Sequence, residues 1–150
     1  MRNNVRPHAR LRGTTLHAGN VSVGARLPLV ANILVVEDEA MVLVHAESVL
    51  LDAGHDTLTA SSFPQAEAII ESDQPLDLIF TDMTLHDELD GGLKVGKLSK
   101  EIPVLYTSGK PITDDMRAHF AERSAFLAKP YRDHQVVDAV VALLKPLLRH

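Results

Sequence analysis

The chain has 150 residues, 45% of them hydrophobic, and a formal net charge of −5, enough apolar material for one complete core and too little length for two ordinary domains. It contains no cysteine, which excludes disulfides, thiolate metal sites and a cysteine nucleophile, and suits a reducing cytoplasm, where the protein is expected to act. No apolar run approaches the roughly 18–20 residues of a membrane-spanning helix, so no membrane association is expected.

Charge is unevenly spread. Residues 1–31 carry Arg2, Arg6, Arg10, Arg12 and Arg26 and no acid, a charge of +5, which leaves residues 32–150 at −10 given the whole-chain value of −5. Scattered Gly, Asn, Pro and Thr without sustained periodicity mark residues 1–30 as a disordered or artefactual basic extension, with residues 31–150 as the folded domain. An Arg-rich, acid-free start also has the composition of an organelle transit peptide or a nucleic-acid arm, but it lacks the continuous apolar stretch of a secretory signal.

From residue 32 onward short apolar runs alternate with longer amphipathic ones. Ile33 to Val36 reads as a strand that runs directly into Glu37, Asp38 and Glu39. Adjacent carboxylates at the end of a buried strand repel one another, so they need open solvent or a cation. Residues 40–52 place Val42, Ala46, Val49 and Leu50 at helical spacing, and Gly54 is a natural stop. A second strand is expected over His55 to Thr59. A helix follows, capped by Ser62 with Pro64 in its first turn, and running to about Asp73, where Gln74 and Pro75 break it.

"LDLIFTD" at 76–82 reads as the third strand, and a short helix at about 91–100 leads to "IPVLYTSG", residues 102–109, the fourth. Residues 113–123 are expected to be helical and "AFLAK" at 125–129 to be the fifth strand. The last helix is expected over 133–148, with Val136, Val137, Val140, Val141, Leu144 and Leu148 on one side. Five βα units in succession give an α/β fold with a parallel sheet covered on both faces.

In such a sheet ligands gather beyond the carboxyl ends of the strands. Those ends carry Glu37 and Asp38, Asp82, Thr107 and Ser108, and Lys129. The excess negative charge at one edge calls for a divalent cation. Taken singly, each residue also has a plain structural reading. Asp38 and Glu39 suit a helix N-terminus, Asp82 a solvated strand end, Thr107 and Ser108 a turn, and Lys129 a side chain snorkelling to water.

The segments "VVEDE", "IFTDM", "LYTSG" and "FLAKPY" occur in the order and spacing of the receiver domains of two-component response regulators, with 44 residues from Asp38 to Asp82 and 22 from Thr107 to Lys129. The chain resembles that family over about residues 31–149. The resemblance implies a flavodoxin-like (βα)5 doubly wound sandwich whose five-stranded parallel sheet has strand order 2-1-3-4-5. It implies that Asp82 is the phosphoacceptor, taking a phosphoryl group from the phosphohistidine of a histidine kinase or histidine phosphotransfer protein and becoming an acyl phosphate.

Mg²⁺ or Mn²⁺ would be ligated by Asp38, Asp82 and the backbone carbonyl of Thr84, with Glu37 acting mostly through bound water. Lys129 would pair with the phosphoryl oxygens and the Thr107 hydroxyl would hydrogen-bond another. The Lys129–Pro130 bond is expected to be cis. Thr107 and Phe126 would form the switch. Phosphoryl charge draws Thr107 toward Asp82, and Phe126, which has no hydroxyl, moves by packing alone. The helix at 113–123, the fifth strand and the last helix would then present a changed surface to a downstream protein.

Two departures from the family pattern stand out. His86 replaces the proline usual after the phosphoacceptor, so that loop is expected to be looser and its metal contact less fixed. The stretch between Gly91 and Pro103 is about one helical turn short and carries Gly96 mid-helix, at a cost of about 1 kcal/mol relative to alanine.

Nothing after residue 149 leaves room for an effector, which reads as a stand-alone receiver that acts on another protein, with the last two helices as a candidate homodimer face. No basic recognition helix is evident, so no nucleic-acid partner is expected. The chain is expected to be a regulator with slow self-dephosphorylation, not an enzyme. The alternatives are a degenerate receiver serving as a phosphorylation-independent interaction module, and a small enzyme or flavin carrier on the same architecture. Carboxylates where a phosphate-cradling loop would lie disfavour the flavin. The eight histidines lack zinc-ligand spacing and read as surface or packing residues, Asp77 reads as a turn or strand-entry residue, and Asp87, Glu88 and Asp90 as a solvated acidic rim.

Overall fold

In the computed structural model, which describes residues 10–11 and 29–145, the apolar runs after residue 31 form five strands of five residues each. These are β1 (Asn32–Val36), β2 (Asp56–Ala60), β3 (Leu78–Asp82), β4 (Val104–Ser108) and β5 (Ser124–Ala128). All neighbours pair in parallel, in the spatial order β2-β1-β3-β4-β5, which is the 2-1-3-4-5 order expected. Each strand is followed by a helix: α1 (Ala40–Asp52), α2 (Phe63–Glu71), α3 (Gly91–Leu98), α4 (Asp114–Ala118) and α5 (Asp133–Leu144).

Successive side chains of a strand point to opposite faces, and the core divides accordingly. Ile33, Val35, Leu78, Phe80 and Leu105 pack with Ala46, Val49 and Leu50 of α1 and Val136, Val140 and Leu144 of α5. Leu34, Val36, Ile79, Val104 and Tyr106 pack on the opposite face with Ala66 and Ile70 of α2 and Leu93 and Val95 of α3. Local signals set the helix ends. Ser62 accepts the Gln65 N–H with Pro64 in the first turn of α2, and Gly54, at φ 95°, lets the chain turn sharply after α1. Asp77 enters β3 by accepting the Asn32 N–H at 2.8 Å.

The structure corrects several boundaries. β2 begins one residue later than expected, and α2 stops at Glu71, where the Ser72 hydroxyl donates to the Ile69 carbonyl at 2.6 Å. The helix expected over 113–123 is the five-residue α4. The N–H of Ala121, which a continuing helix would direct to Arg117, donates instead to the Tyr106 hydroxyl at 3.0 Å, and the His119 and Phe120 amides bond three residues back to Met116 and Arg117. A tightened, side-chain-capped end of this kind terminates a helix. On α5, Val141 is 42% exposed and does not join the buried face, while Leu148 lies outside the described residues.

Gly96 is explained by its neighbour. A Cβ there would overlap the hydroxyl of the fully buried Tyr106, so α3 and β4 approach this closely only with glycine at the contact.

Among the described residues, Leu29 and Val30, just before the expected domain at 31–150, already join the packed body: Val30 is buried and Leu29 packs on the α1–α5 side. Arg10–Leu11 pairs antiparallel with Leu29–Val30; the rest of the basic extension expected over 1–30 lies outside the described residues. Among the described residues no helix is long and apolar enough to cross a membrane.

Candidate functional site

Parallel register brings the strand ends to one level. The Glu37 N–H extends the β1–β2 ladder to the Ala60 carbonyl at 3.0 Å, Asp82 pairs with Thr107 across β3 and β4, and the Lys129 N–H donates to the Ser108 carbonyl at 2.9 Å. Glu37 and Asp82 are 4% and 8% exposed. Between them lies the Lys129 ammonium, with Nζ 2.9 Å from Glu37 Oε2 and 2.9 Å from Asp82 Oδ2. The Lys129–Pro130 peptide is cis.

Carboxylate oxygens of Glu37, Asp38 and Asp82 lie within 4.8 Å of one another. This all-oxygen donor set suits a hard divalent cation. Its electrostatics point the same way. Burial raises the Glu37 carboxyl from 4.5 to about 7, opposed by the Lys129 hydrogen bond and reinforced by the charge of Asp82. Burial also works against the Lys129 charge, but its hydrogen bonds to Asp82 and Glu37 outweigh that and hold its pKa above the ordinary value. One ammonium therefore does not balance the buried negative charge, and Mg²⁺ or Mn²⁺ fits the residues present.

Thr107 Oγ1 is buried without a hydrogen-bond partner among the described residues. An orphaned buried hydroxyl costs about 1–3 kcal/mol and marks a place where an incoming acceptor would complete the site. Thr84, two residues beyond Asp82, donates its N–H to Asp82 Oδ1 at 3.3 Å.

Phe126 pairs with Tyr106 in the β4–β5 register and is half-buried. Its ring lies 6.4 Å from that of Phe120, and the Arg117 guanidinium sits 5.7 Å from its centroid. Phe120 in turn stacks on Tyr106 at 4.2 Å. Tyr106 was not singled out by sequence reasoning; the pairing of an aromatic beside Thr107 with a mid-helix glycine ten residues earlier was the available signal.

The loop around His86 is tighter than expected. Leu85 and Glu88 form an antiparallel bridge, with His86 and Asp87 at φ 48° and 65°. Of the acidic rim, the exposed Glu88 and Asp90 lie 3.0 Å and 3.9 Å from the ammonium of the half-buried Lys94.

Comparison with known proteins gives a consistent answer. Residues 33–141 match the family described as response regulator receiver domain. The alginate biosynthesis transcriptional regulatory protein AlgB of Pseudomonas aeruginosa is 34% identical over 109 residues, 69% of this chain and 24% of that protein. The phosphate regulon transcriptional regulatory protein PhoB of the same organism is 31% identical over 119 residues, 75% of this chain and 51% of that protein. The chain thus spans about a quarter and about half the lengths of these relatives. A response regulator receiver protein from Sinorhizobium medicae WSM419 has a similar structure, with a TM-score of 0.70 at 30% identity, covering 77% of this chain and 95% of that one.

Proposed function

Because the chain belongs to the response regulator receiver domain family of two-component systems, we propose that it is a phosphoacceptor switch in which Asp82 receives the phosphoryl group. One convergence carries the reading: Lys129 Nζ within 2.9 Å of both Glu37 and Asp82, beside three carboxylates whose oxygens lie within 4.8 Å of one another.

Asp38, Asp82 and the Thr84 carbonyl would hold Mg²⁺ or Mn²⁺, with Glu37 acting through bound water. A cation held there would offset repulsion between an anionic nucleophile and an anionic phosphoryl group. A carboxylate oxygen of Asp82 attacks phosphorus as the P–N bond of a phosphohistidine breaks, the electron pair returns to the imidazole, and an acyl phosphate forms. Lys129, already on Asp82, transfers its hydrogen bonds to the phosphoryl oxygens, and the unpartnered Thr107 hydroxyl donates to another.

Thr107 and Phe126 then relay the change to α4, β5 and α5. Because Phe126 packs at the edge of the core beside Phe120 and the Arg117 guanidinium, its movement is a repacking against those neighbours. On this reading the protein acts in the cytoplasm, its donor is a histidine kinase or histidine phosphotransfer protein, and its target is another protein.

Intact-mass measurement after treatment with acetyl phosphate and Mg²⁺ tests the proposal. One phosphoryl adduct is expected on the wild type and none on Asp82→Asn; the same adduct on both overturns the assignment. A wild type that stays unmodified would favour a phosphorylation-independent interaction module.

A further inference from the structure

We propose that His86 is a positioning residue for Asp38, a clamp that ties this carboxylate to the start of α2. The inference rests on reading Asp38 as a cation ligand. The turn at His86 and Asp87 is closed by the Leu85 N–H on the Glu88 carbonyl at 3.1 Å and the Glu88 N–H on the Leu85 carbonyl at 3.0 Å. Its two central residues, at φ 48° and 65°, occupy the left-handed region without being glycine. Such a conformation persists only where surrounding bonds hold it.

Those bonds lie on either side of His86. Its N–H donates to Asp38 Oδ2 at 2.9 Å, and its Nε2 lies 2.9 Å from the Ser61 carbonyl oxygen. A carbonyl oxygen only accepts, so Nε2 carries the proton and donates. Ser61 is itself anchored. Its N–H and its hydroxyl both donate to Gln65 Oε1, at 2.8 and 3.0 Å, and Gln65 stands in the first turn of α2.

A continuous path therefore runs from α2 through Ser61 and the His86 ring to the His86 amide and Asp38. A donor fixed on one oxygen of a metal-binding carboxylate sets the orientation of the whole group, and losing such a partner typically lowers metal affinity 10–100-fold. Proline could not do this, since it has no N–H and its φ is held near −65°.

The test uses calorimetric Mg²⁺ titration together with hydrogen exchange of the residue-86 amide in the metal-free protein. His86→Ala keeps the backbone amide but loses the ring. It is expected to weaken Mg²⁺ binding about tenfold and to speed that amide's exchange about tenfold. His86→Gln, whose side-chain amide can still donate to Ser61, is expected to recover most of both effects. Unchanged affinity and exchange in His86→Ala would overturn the clamp. If the wild type itself bound no Mg²⁺, the cation reading would fall, and the exchange comparison would still decide the clamp on its own.

Discussion

Glu37 is a carboxyl held where its charge is disfavoured. Burial, joined by the charge of Asp82 and opposed by Lys129, raises its carboxyl to about 7 from an ordinary 4.5. The folded chain therefore keeps a proton that the unfolded chain releases between those values, and stability contributed by this group is lost as pH rises from 4.5 through about 7. Thermal melts of the metal-free protein should decline across that window, Mg²⁺ should offset the decline at its upper end, and Glu37→Gln should flatten it. The same slope in Glu37→Gln would assign the effect elsewhere. Thr107 makes the opposite kind of case, a buried hydroxyl without a partner. Thr107→Val should hold stability level or raise it by about 1 kcal/mol in urea melts, while removing the proposed donor to the phosphoryl group. The acidic run at 37–39 was plain in the sequence, yet which carboxylate is buried was not. That follows from the β1–β2 ladder continuing through the Glu37 amide, a partner 23 residues away.

At the level of elements, local pattern failed where a distant side chain intervened. The sequence places a helix over 113–123, but the Ala121 amide is claimed by a hydroxyl 15 residues earlier, and α4 stops at Ala118. The glycine in α3 tells the same story. Helix propensity alone says Gly96→Ala should stabilise by about 1 kcal/mol. Contact with buried Tyr106 reverses the sign, and we expect a loss of about 1–3 kcal/mol in urea unfolding. Tyr106→Phe should cost about 1 kcal/mol by orphaning the Ala121 amide. Because it also clears the worst overlap at Gly96, the double variant should be less destabilised than the sum of the two single ones. Strictly additive losses would mean that the two positions do not compete for the same space. The mid-helix Gly96 was visible as a sequence oddity; its reason lay across the α3–β4 interface, beyond the reach of any single-segment pattern.

For the whole molecule, the alternation of apolar runs and amphipathic stretches carried the architecture, because a parallel sheet needs buried strands and crossover helices and little else fits that rhythm. That Leu29 to Ala31 join the packed body was harder to see, since they adjoin a basic segment with no pattern of its own. Val30 and Ala31 are 2% and 0% exposed, and the Ala31 amide donates to His55 Nδ1 at 3.1 Å. A chain beginning at Asn32 should therefore be less stable than one beginning at Leu29 by about 2 kcal/mol, measured by chemical denaturation. Equal stability would show that these residues ride on the core without supporting it. The ammonium at position 129 meets its carboxylate partners 92 and 47 residues back along the chain, so the pocket is assembled from the beginning, middle and end of the folded unit. A nascent polypeptide halted on the ribosome before that lysine would display its acids without their counter-charge. On the proposed function, the charge-balanced pocket that takes the phosphoryl group therefore waits until position 129 has been made.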